Sequence, residues 1–528
     1  MPGPLPMEFS MPMYREFVPK CIRPWIYVFF AVVFQLSGGI YLGQMTQLVG
    51  ATSFMREDIT MVGLCGVVGV CMPFPFLFRM KFRYTNRHLL FNAAAVIAVC
   101  NFLCMYVHSL PLLCVLSFIA GFFKLCGTFE CMSNIQLWMA PGRDFTLFFP
   151  LLYIIVIGDM SLSSWVANHL CYYLGGWQAM HWFMIGMLIV VMLCIRLLTR
   201  NVRIMPKLPF ISQDWLGCVL WALTLLEAIW ICTYGEHYNW LDSSTFRSVC
   251  LMLPVTLAMC LFRMFHIRHP FISPKAFTYK GLLPVLGLFA VCEFLSAGSK
   301  SLQNVFLTSV LGYNSLTMSN FSLVEYAGVV TGCLFVIFWI KVLKLEYTRL
   351  LTLGAFCLVF YHLIMYFKIS PDANIEAFYL PTALRTFGYS VFFCVLTIYL
   401  EARMTFAHFF MGLTICGFVR NGLAESVASA VYAHSLRYYI ADYGMRYVPA
   451  ASAMVDPTGL AVQARLDALA PLMSGIKTLF GWTCLIGCAV VLVFLLYDVE
   501  PARRMFRKMP SWKAVGRGLR IITTLSKD

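Results

Sequence analysis

The chain has 528 residues, of which 60% are hydrophobic and only 12% charged, and its mean hydropathy is +0.78. Soluble globular domains are about 45–50% apolar and about 25% charged, which excludes a soluble enzyme or soluble binding module as the body of the chain. The net charge of +15 sits mostly in short gaps between apolar blocks, so it points to topology and to anionic lipid, not to nucleic acid.

The first 23 residues carry Glu8, Arg15 and Glu16 and lack an apolar core with a small-residue cleavage site, so 1–23 is read as a cytoplasmic N-terminal segment and not as a signal peptide. Fourteen apolar runs follow, near 24–47, 59–79, 89–108, 111–138, 145–171, 178–199, 213–234, 244–264, 281–310, 318–340, 348–367, 377–400, 407–435 and 475–497. Each is close to the roughly 20 residues that cross a bilayer as a helix. The linkers around 200–212 and 265–280 carry prolines (Pro206, Pro209; Pro270, Pro274) and isolate two runs between two sets of six. The chain therefore divides into 24–199, an inserted pair in 200–280, and 281–497. The last part holds a long gap at 436–474, with a helical stretch expected from Gly459 to Leu469. A basic tail, 498–528, ends the chain.

Taken alternately, one set of gaps holds 28 of the 39 Lys and Arg and the other set holds 7. By the positive-inside rule the basic set is cytoplasmic, which puts both termini inside and the 436–474 gap outside. The expected fold is an all-α polytopic protein of the plasma (inner) membrane, with two six-helix bundles plus two inserted helices. A 6+2+6 layout is the pattern of a two-bundle transporter whose parallel repeats enclose a path at the midplane. The 21 cysteines are scattered through the apolar runs with no CxxC pair, so they read as small buried hydrophobes, and no metal or cofactor is expected.

Four basic residues enter the runs: Lys124, Lys300, Arg385 and Arg420. A charge at the bilayer centre costs at least roughly 2.5–3.5 kcal/mol and normally faces a bundle interior or watery cavity. Glu130, Asp159, Glu293, Lys300, Arg385 and Arg420 are the leading candidates for substrate or proton contact. Lys124, Gln303, Glu227, Glu325 and Glu425 are further candidates. Glu293 and Lys300 are seven residues apart, two helical turns, and so share a face that Gln303 and Asn304 extend. Glu130 and Glu293 read equally as proton carriers or as structural partners of a nearby cation. Arg385, in RTFGYS, reads as a brace or as the holder of a substrate anion. Glu425 follows Arg420 by five residues, about 140° round an α-helix, so the two need not meet. Asp159 is the most isolated carboxylate and a protonation site, because removal from water favours the neutral carboxyl.

The local sequences resemble the major facilitator superfamily, in particular its fourteen-spanner EmrB/QacA-type drug:proton antiporter branch. LQNVFLTSVLGYNSLTMS (302–319) resembles that branch's "LQ.vlGysal.aG" stretch, GEHYNWLDS (235–243) the loop between the inserted helices, HPFISPKAF (269–277) the linker into the second bundle, and GFVRNGLAESVASAV (417–431) the thirteenth helix. There are departures. FLFRMKFRYTNRH (76–88) keeps Lys81, Arg83 and Arg87 but lacks the Gly and Asp of the turn between the second and third helices. The first-helix Asp falls near Ser37, the fourth-helix Arg falls near Ser117, and DMSLSSWVANHL (159–170) shows no GPxxGG motif.

The resemblance implies a central cavity lined by runs one, four, nine and twelve, which carry Gln35, Gln44, Gln47, Lys124, Glu130, Glu293, Lys300 and Arg385. It implies proton-coupled export of a small amphiphilic or drug-like compound by alternating access, with a periplasmic adaptor and an outer-membrane channel as further partners. Uptake or symport of a small metabolite is the alternative on the same fold. A membrane-embedded enzyme or sensor would need a catalytic cluster, for which only His434 with Asp442 offers itself, and no Walker A motif is present.

Overall fold

The computed structural model describes residues 14–38, 41–139, 144–201, 213–446 and 457–497. The N-terminal residues before Tyr14, most of the 200–212 linker and the 498–528 tail lie outside the described residues. The described secondary structure is helical, apart from one bridge between Tyr14 and Thr199.

In chain order the helices are α1 (Arg23–Leu36), α2 (Met45–Ala51), α3 (Arg56–Cys71), α4 (Leu77–Arg83), α5 (Asn86–Cys104) and α6 (Leu110–Met139). Then come α7 (Phe145–Val156), α8 (Gly158–Leu174), α9 (Ala179–Leu198), α10 (Trp215–Tyr234) and α11 (Ser244–His266). The second half holds α12 (Leu282–Val305), α13 (Ser315–Ile337), α14 (Tyr347–Lys368), α15 (Tyr379–Arg403), α16 (Phe406–Gly417), α17 (Glu425–Arg446) and α18 (Pro457–Tyr497). Polar residues in the gaps start several of them by accepting from free N–H groups: Asp144 from Thr146 N, Asp214 from Gly217 N and Asn314 from Thr317 N. Gly175, at φ 72°, ends α8 in the left-handed conformation that glycine tolerates.

Among the described residues eleven helices are long and apolar enough to cross a membrane. The first, second, fifth and thirteenth runs depart from single helices, the fifth dividing at Ile157 between α7 and α8. Run 24–47 breaks after Leu36, where Ser37 Oγ turns back onto Phe34 O at 2.8 Å, and resumes as a 3-10 turn and α2. Run 59–79 breaks after Cys71 at Pro73 and Pro75, and α4 carries the basic residues beyond. Run 407–435 is α16 and α17 joined by a π-helical segment, Phe418–Ala424. The 436–474 gap is shorter than expected: α17 runs to Arg446 and α18 begins at Pro457, which makes Gly459 to Leu469 helical, and 447–456 lie outside the described residues.

The packing repeats. In the first half α3 lies on α6, α5 on α6 and α9, α1 on α6 and α9, and α8 on α9. In the second half α13 lies on α15, α14 on α15 and α18, α12 on α15 and α18, and α17 on α18. The corresponding pairs α3/α6 and α13/α15 both approach through glycine. Gly69 faces the Phe118 carbonyl, and Gly332 faces Ser390 and the Phe387 carbonyl. Small residues let membrane helices come this close.

The halves meet along two seams. On one, α7 and α8 pack against α13, and α7 against α15; on the other, α3 meets α16 and the π segment. Helix α10 covers the second seam, touching α3 and α17, while α11 rests on α10. Burial grades accordingly: 72% of the α15 span is buried and 11% of the α11 span. Helices alternate in direction, so the end where α1 starts can be called the lower end. There the halves are shut by the Asp144–Lys341 ion pair and by a ring layer. Phe78 meets Phe410 with centroids 4.6 Å apart, Phe149 meets Phe409 at 5.9 Å, and Tyr153 meets Phe393 at 4.4 Å. Toward the upper end Lys300 and Asn304, one turn apart on α12, and Thr308, in the π-helical turn Phe306–Val310 that follows, are exposed.

Candidate functional site

Most of the charged candidates fall in three groups, each with a member on an element that packs at a seam between the halves. The first centres on Glu325 of α13. Its Oε2 accepts Lys300 Nζ at 2.9 Å and Ser161 Oγ of α8 at 3.2 Å, and its Oε1 accepts Arg385 Nη2 at 2.5 Å. Arg385 also donates to Ser296 Oγ at 3.3 Å. One carboxylate thus joins α12, α13 and α15 of the second half to α8 of the first.

The second group centres on Glu293. Its Oε1 accepts Arg420 Nε at 2.8 Å and Tyr389 OH at 2.6 Å, and the Arg420 guanidinium lies 4.2 Å from the Phe393 ring centroid. Glu425 stands within electrostatic reach of Glu293, Arg420 and Lys300. A regular α-helix would have turned it away from Arg420. The intervening π segment, with i to i+5 bonding, stacks residues five apart and brings both to one side.

The third group lies in the first half. Asp159 on α8 is buried, and among the described residues its Oδ2 has no hydrogen-bond partner. It is not isolated as the sequence implies, because Lys124 on α6 faces it within electrostatic reach. Glu130 is buried one turn and a half further along α6. It accepts Asn134 Nδ2 at 3.3 Å and pairs with Lys81 Nζ at 3.7 Å.

Some sequence candidates separate. Glu293, Lys300 and Gln303 share α12 and take different partners. Gln303 donates to Thr382 Oγ1 at 2.7 Å and accepts from Tyr361 OH at 3.0 Å. Glu227 accepts Thr256 Oγ1 at 2.6 Å and ties α10 to α11, away from the three groups. Gln35 and Gln44 bond within the first half, to Thr128 Oγ1 and Ala167 O. His434 bonds Glu236 at 2.7 Å.

Three participants escape the sequence reading. Lys81 counts there as a loop cation, but its side chain is only 10% exposed and turns inward. Tyr389 lies one turn beyond Arg385, and that spacing is the signal that could have found it. Asp58, on α3, accepts Tyr234 OH at 2.5 Å across the α10 seam.

No protein-family model matches the sequence, and no curated protein matches it. Solved structures do match in fold. An auto-inhibited POT family peptide transporter aligns over 90% of this chain and 97% of its own, with TM-score 0.54 and 15% identity. The nucleoside transporter NupG aligns over 89% and 99%, with TM-score 0.53 and 9% identity. The tetrameric peptide transporter PepTSo2 aligns over 92% and 100%, with TM-score 0.56 and 12% identity. The chain is therefore an all-helical protein with the fold of these membrane transporters.

Proposed function

We propose that the chain is a secondary active transporter that exports a small amphiphilic compound in exchange for protons. In this reading fourteen spans form two six-helix bundles, 24–199 and 281–497, with the pair in 200–280 inserted between them. Both termini are cytoplasmic, which makes the lower end the cytoplasmic one. The observation that carries the reading is the position of the charged groups: each has a member on an element that packs at a seam between two similarly packed halves, above a closed lower end. A site at the repeat interface, reached from one side at a time, is what alternating access requires.

Asp159 and Lys124 are the proton-coupling pair. Asp159 is a buried carboxyl whose Oδ2 has no hydrogen-bond partner among the described residues, so gaining or losing a proton changes its attraction to Lys124 directly. Glu130 and Glu293 are held by cations and act as braces. Proton binding at Asp159 biases the two halves between inward- and outward-open states.

The test is transport in inverted vesicles over a substrate panel. Asp159→Asn is expected to retain exchange down a substrate gradient and to lose accumulation driven by a proton gradient. Full gradient-driven accumulation by that variant would sink the coupling role. Uptake or symport is the second reading on this fold, and the sign of the gradient that drives movement separates it from export. The chain reconstituted alone tests whether an adaptor protein is needed.

A further inference from the structure

We propose that the Lys300–Glu325–Arg385 group is the subsite for an anionic end of the transported compound, a single carboxylate or sulfonate. The proposal rests on the transporter reading and assigns a substrate class to it.

The charge count comes first. Two cations share one carboxylate, at 2.9 Å and 2.5 Å, which leaves one positive charge in excess. A charge removed from water needs a partner, and no second carboxylate pairs with Lys300 or Arg385 among the described residues. Glu293 is taken by Arg420 and Tyr389. Asp159 faces Lys124. Glu425 is in electrostatic reach of Lys300 but forms no ion pair with it among the described residues.

Burial then decides which member is available. The Arg385 and Glu325 side chains are 5% and 8% exposed, whereas that of Lys300 is 48% exposed. An ammonium has three N–H donors, and Glu325 takes one. Arg385 Nε is buried with no acceptor among the described residues. The remaining Lys300 donors, at a partly open position, offer short, charge-assisted hydrogen bonds to an oxyanion.

Access is the third observation. Asn304 lies one turn beyond Lys300 on α12 and Thr308 in the π-helical turn that follows it, Phe306–Val310, toward the upper end, and both are exposed. A solute entering along that polar face meets Lys300 first. A monoanion matches the single excess charge, whereas a cation would meet repulsion.

The experiment reads the local field with reagents of opposite charge. In the full chain carrying Asn304→Cys, labelling by sulfonatoethyl methanethiosulfonate is compared with labelling by the trimethylammonioethyl reagent. Each rate is divided by that reagent's rate with a small free thiol, and mass analysis of the peptide bearing residue 304 separates it from the native cysteines. The anionic reagent is expected to be favoured by about tenfold, the low end of focusing in a charged cleft. Lys300→Gln is expected to abolish that preference, and Lys300→Arg to keep it. High salt is expected to reduce it in the Asn304→Cys protein itself, which needs no second substitution. Equal rates, a preference for the cation, or a preference unchanged by Lys300→Gln would overturn the proposal. No gradient is involved, so failure here leaves the Asp159 transport test standing, and failure of transport leaves this charge preference to be measured.

Discussion

Arg420 Nε lies 2.8 Å from Glu293 Oε1, and the two residues come from helices 127 positions apart in sequence. Their side chains are 14% and 7% exposed, so each is the other's main compensation. Removing one member of a buried pair leaves a bare charge and typically costs about 3–5 kcal/mol. Glu293→Gln and Arg420→Gln should therefore each lower the thermal unfolding midpoint of the detergent-solubilised protein well below that of the unsubstituted chain. The double variant should lose less than the sum, because the second change removes the charge the first exposed. Additive losses would show that the two residues act independently.

Asp144 and Lys341 close the lower end. Burial alone would raise the Asp144 carboxyl, but hydrogen bonds and charge from Lys341, with help from Thr146, outweigh it and hold the group below the ordinary carboxylate range. A depressed carboxylate gives its full contribution above the unfolded value of about 3.9. It loses that contribution as pH falls through the folded value. Closure by this pair is thus complete at neutral pH and weakens only in acid. Asp144→Asn keeps an N-cap for α7 and deletes the ion pair. Native Cys416 is buried on α16 behind the ring layer. In inverted vesicles its labelling by an impermeant maleimide should rise about two- to fivefold in Asp144→Asn, the scale of a partly exposed pair. Unchanged labelling at neutral pH would remove the pair from the closure.

The elements visible in the sequence were those fixed by local physics. Apolar runs near bilayer length gave helices because every backbone group must be satisfied within lipid, and α5, α6 and α9 follow their runs closely. The breaks after Leu36 and Cys71 were hidden because a hydropathy window averages across a turn. Intramembrane charges were conspicuous because they are costly, and so Glu293, Arg385 and Arg420 could be singled out. Their partners could not, since pairing depends on packing between distant helices: Lys300 and Glu325 are 25 residues apart, Arg385 and Glu325 60. Arg420 and Glu425 were separated on a regular helical wheel, and only the π segment reunites them. Lys81 shows the opposite failure. Its position among Arg79, Arg83 and Arg87 marks topology, while its ammonium serves Glu130.

The upper end of α10 ties both halves together. Tyr234 OH donates to Asp58 Oδ1 on α3 at 2.5 Å, and Glu236 accepts His434 and Arg437 from α17, each at 2.7 Å. The two ties differ in burial: Asp58 is 9% exposed, whereas the His434 and Arg437 side chains are 61% and 66% exposed. Tyr234→Phe strands a buried acceptor, at about 1–3 kcal/mol. Glu236→Gln loses its exposed ion pair with Arg437, worth about 0–1 kcal/mol. Thermal unfolding should rank Tyr234→Phe as the more damaging, and the reverse order would place the main tie on α17.

The close approach of α13 and α15 gives a test with an internal control. A Cβ at Gly332 would meet Ser390 Oγ and lie 2.9 Å from the Phe387 carbonyl, whereas a Cβ at Gly287 meets nothing within 4 Å. Gly332→Ala must push two helices apart or shift backbone, an overpacking cost of about 1–3 kcal/mol. Gly287→Ala adds a methyl in open space and gains up to about 1 kcal/mol of helix propensity. The same chemical change should therefore lower the unfolding midpoint at 332 and leave it unchanged or raised at 287. Because α13 carries Glu325 and α15 carries Arg385, Gly332→Ala should also reduce transport more than its stability loss accounts for. Equal shifts at the two glycines would mean that the two helices do not meet as closely as Gly332 and Ser390 require.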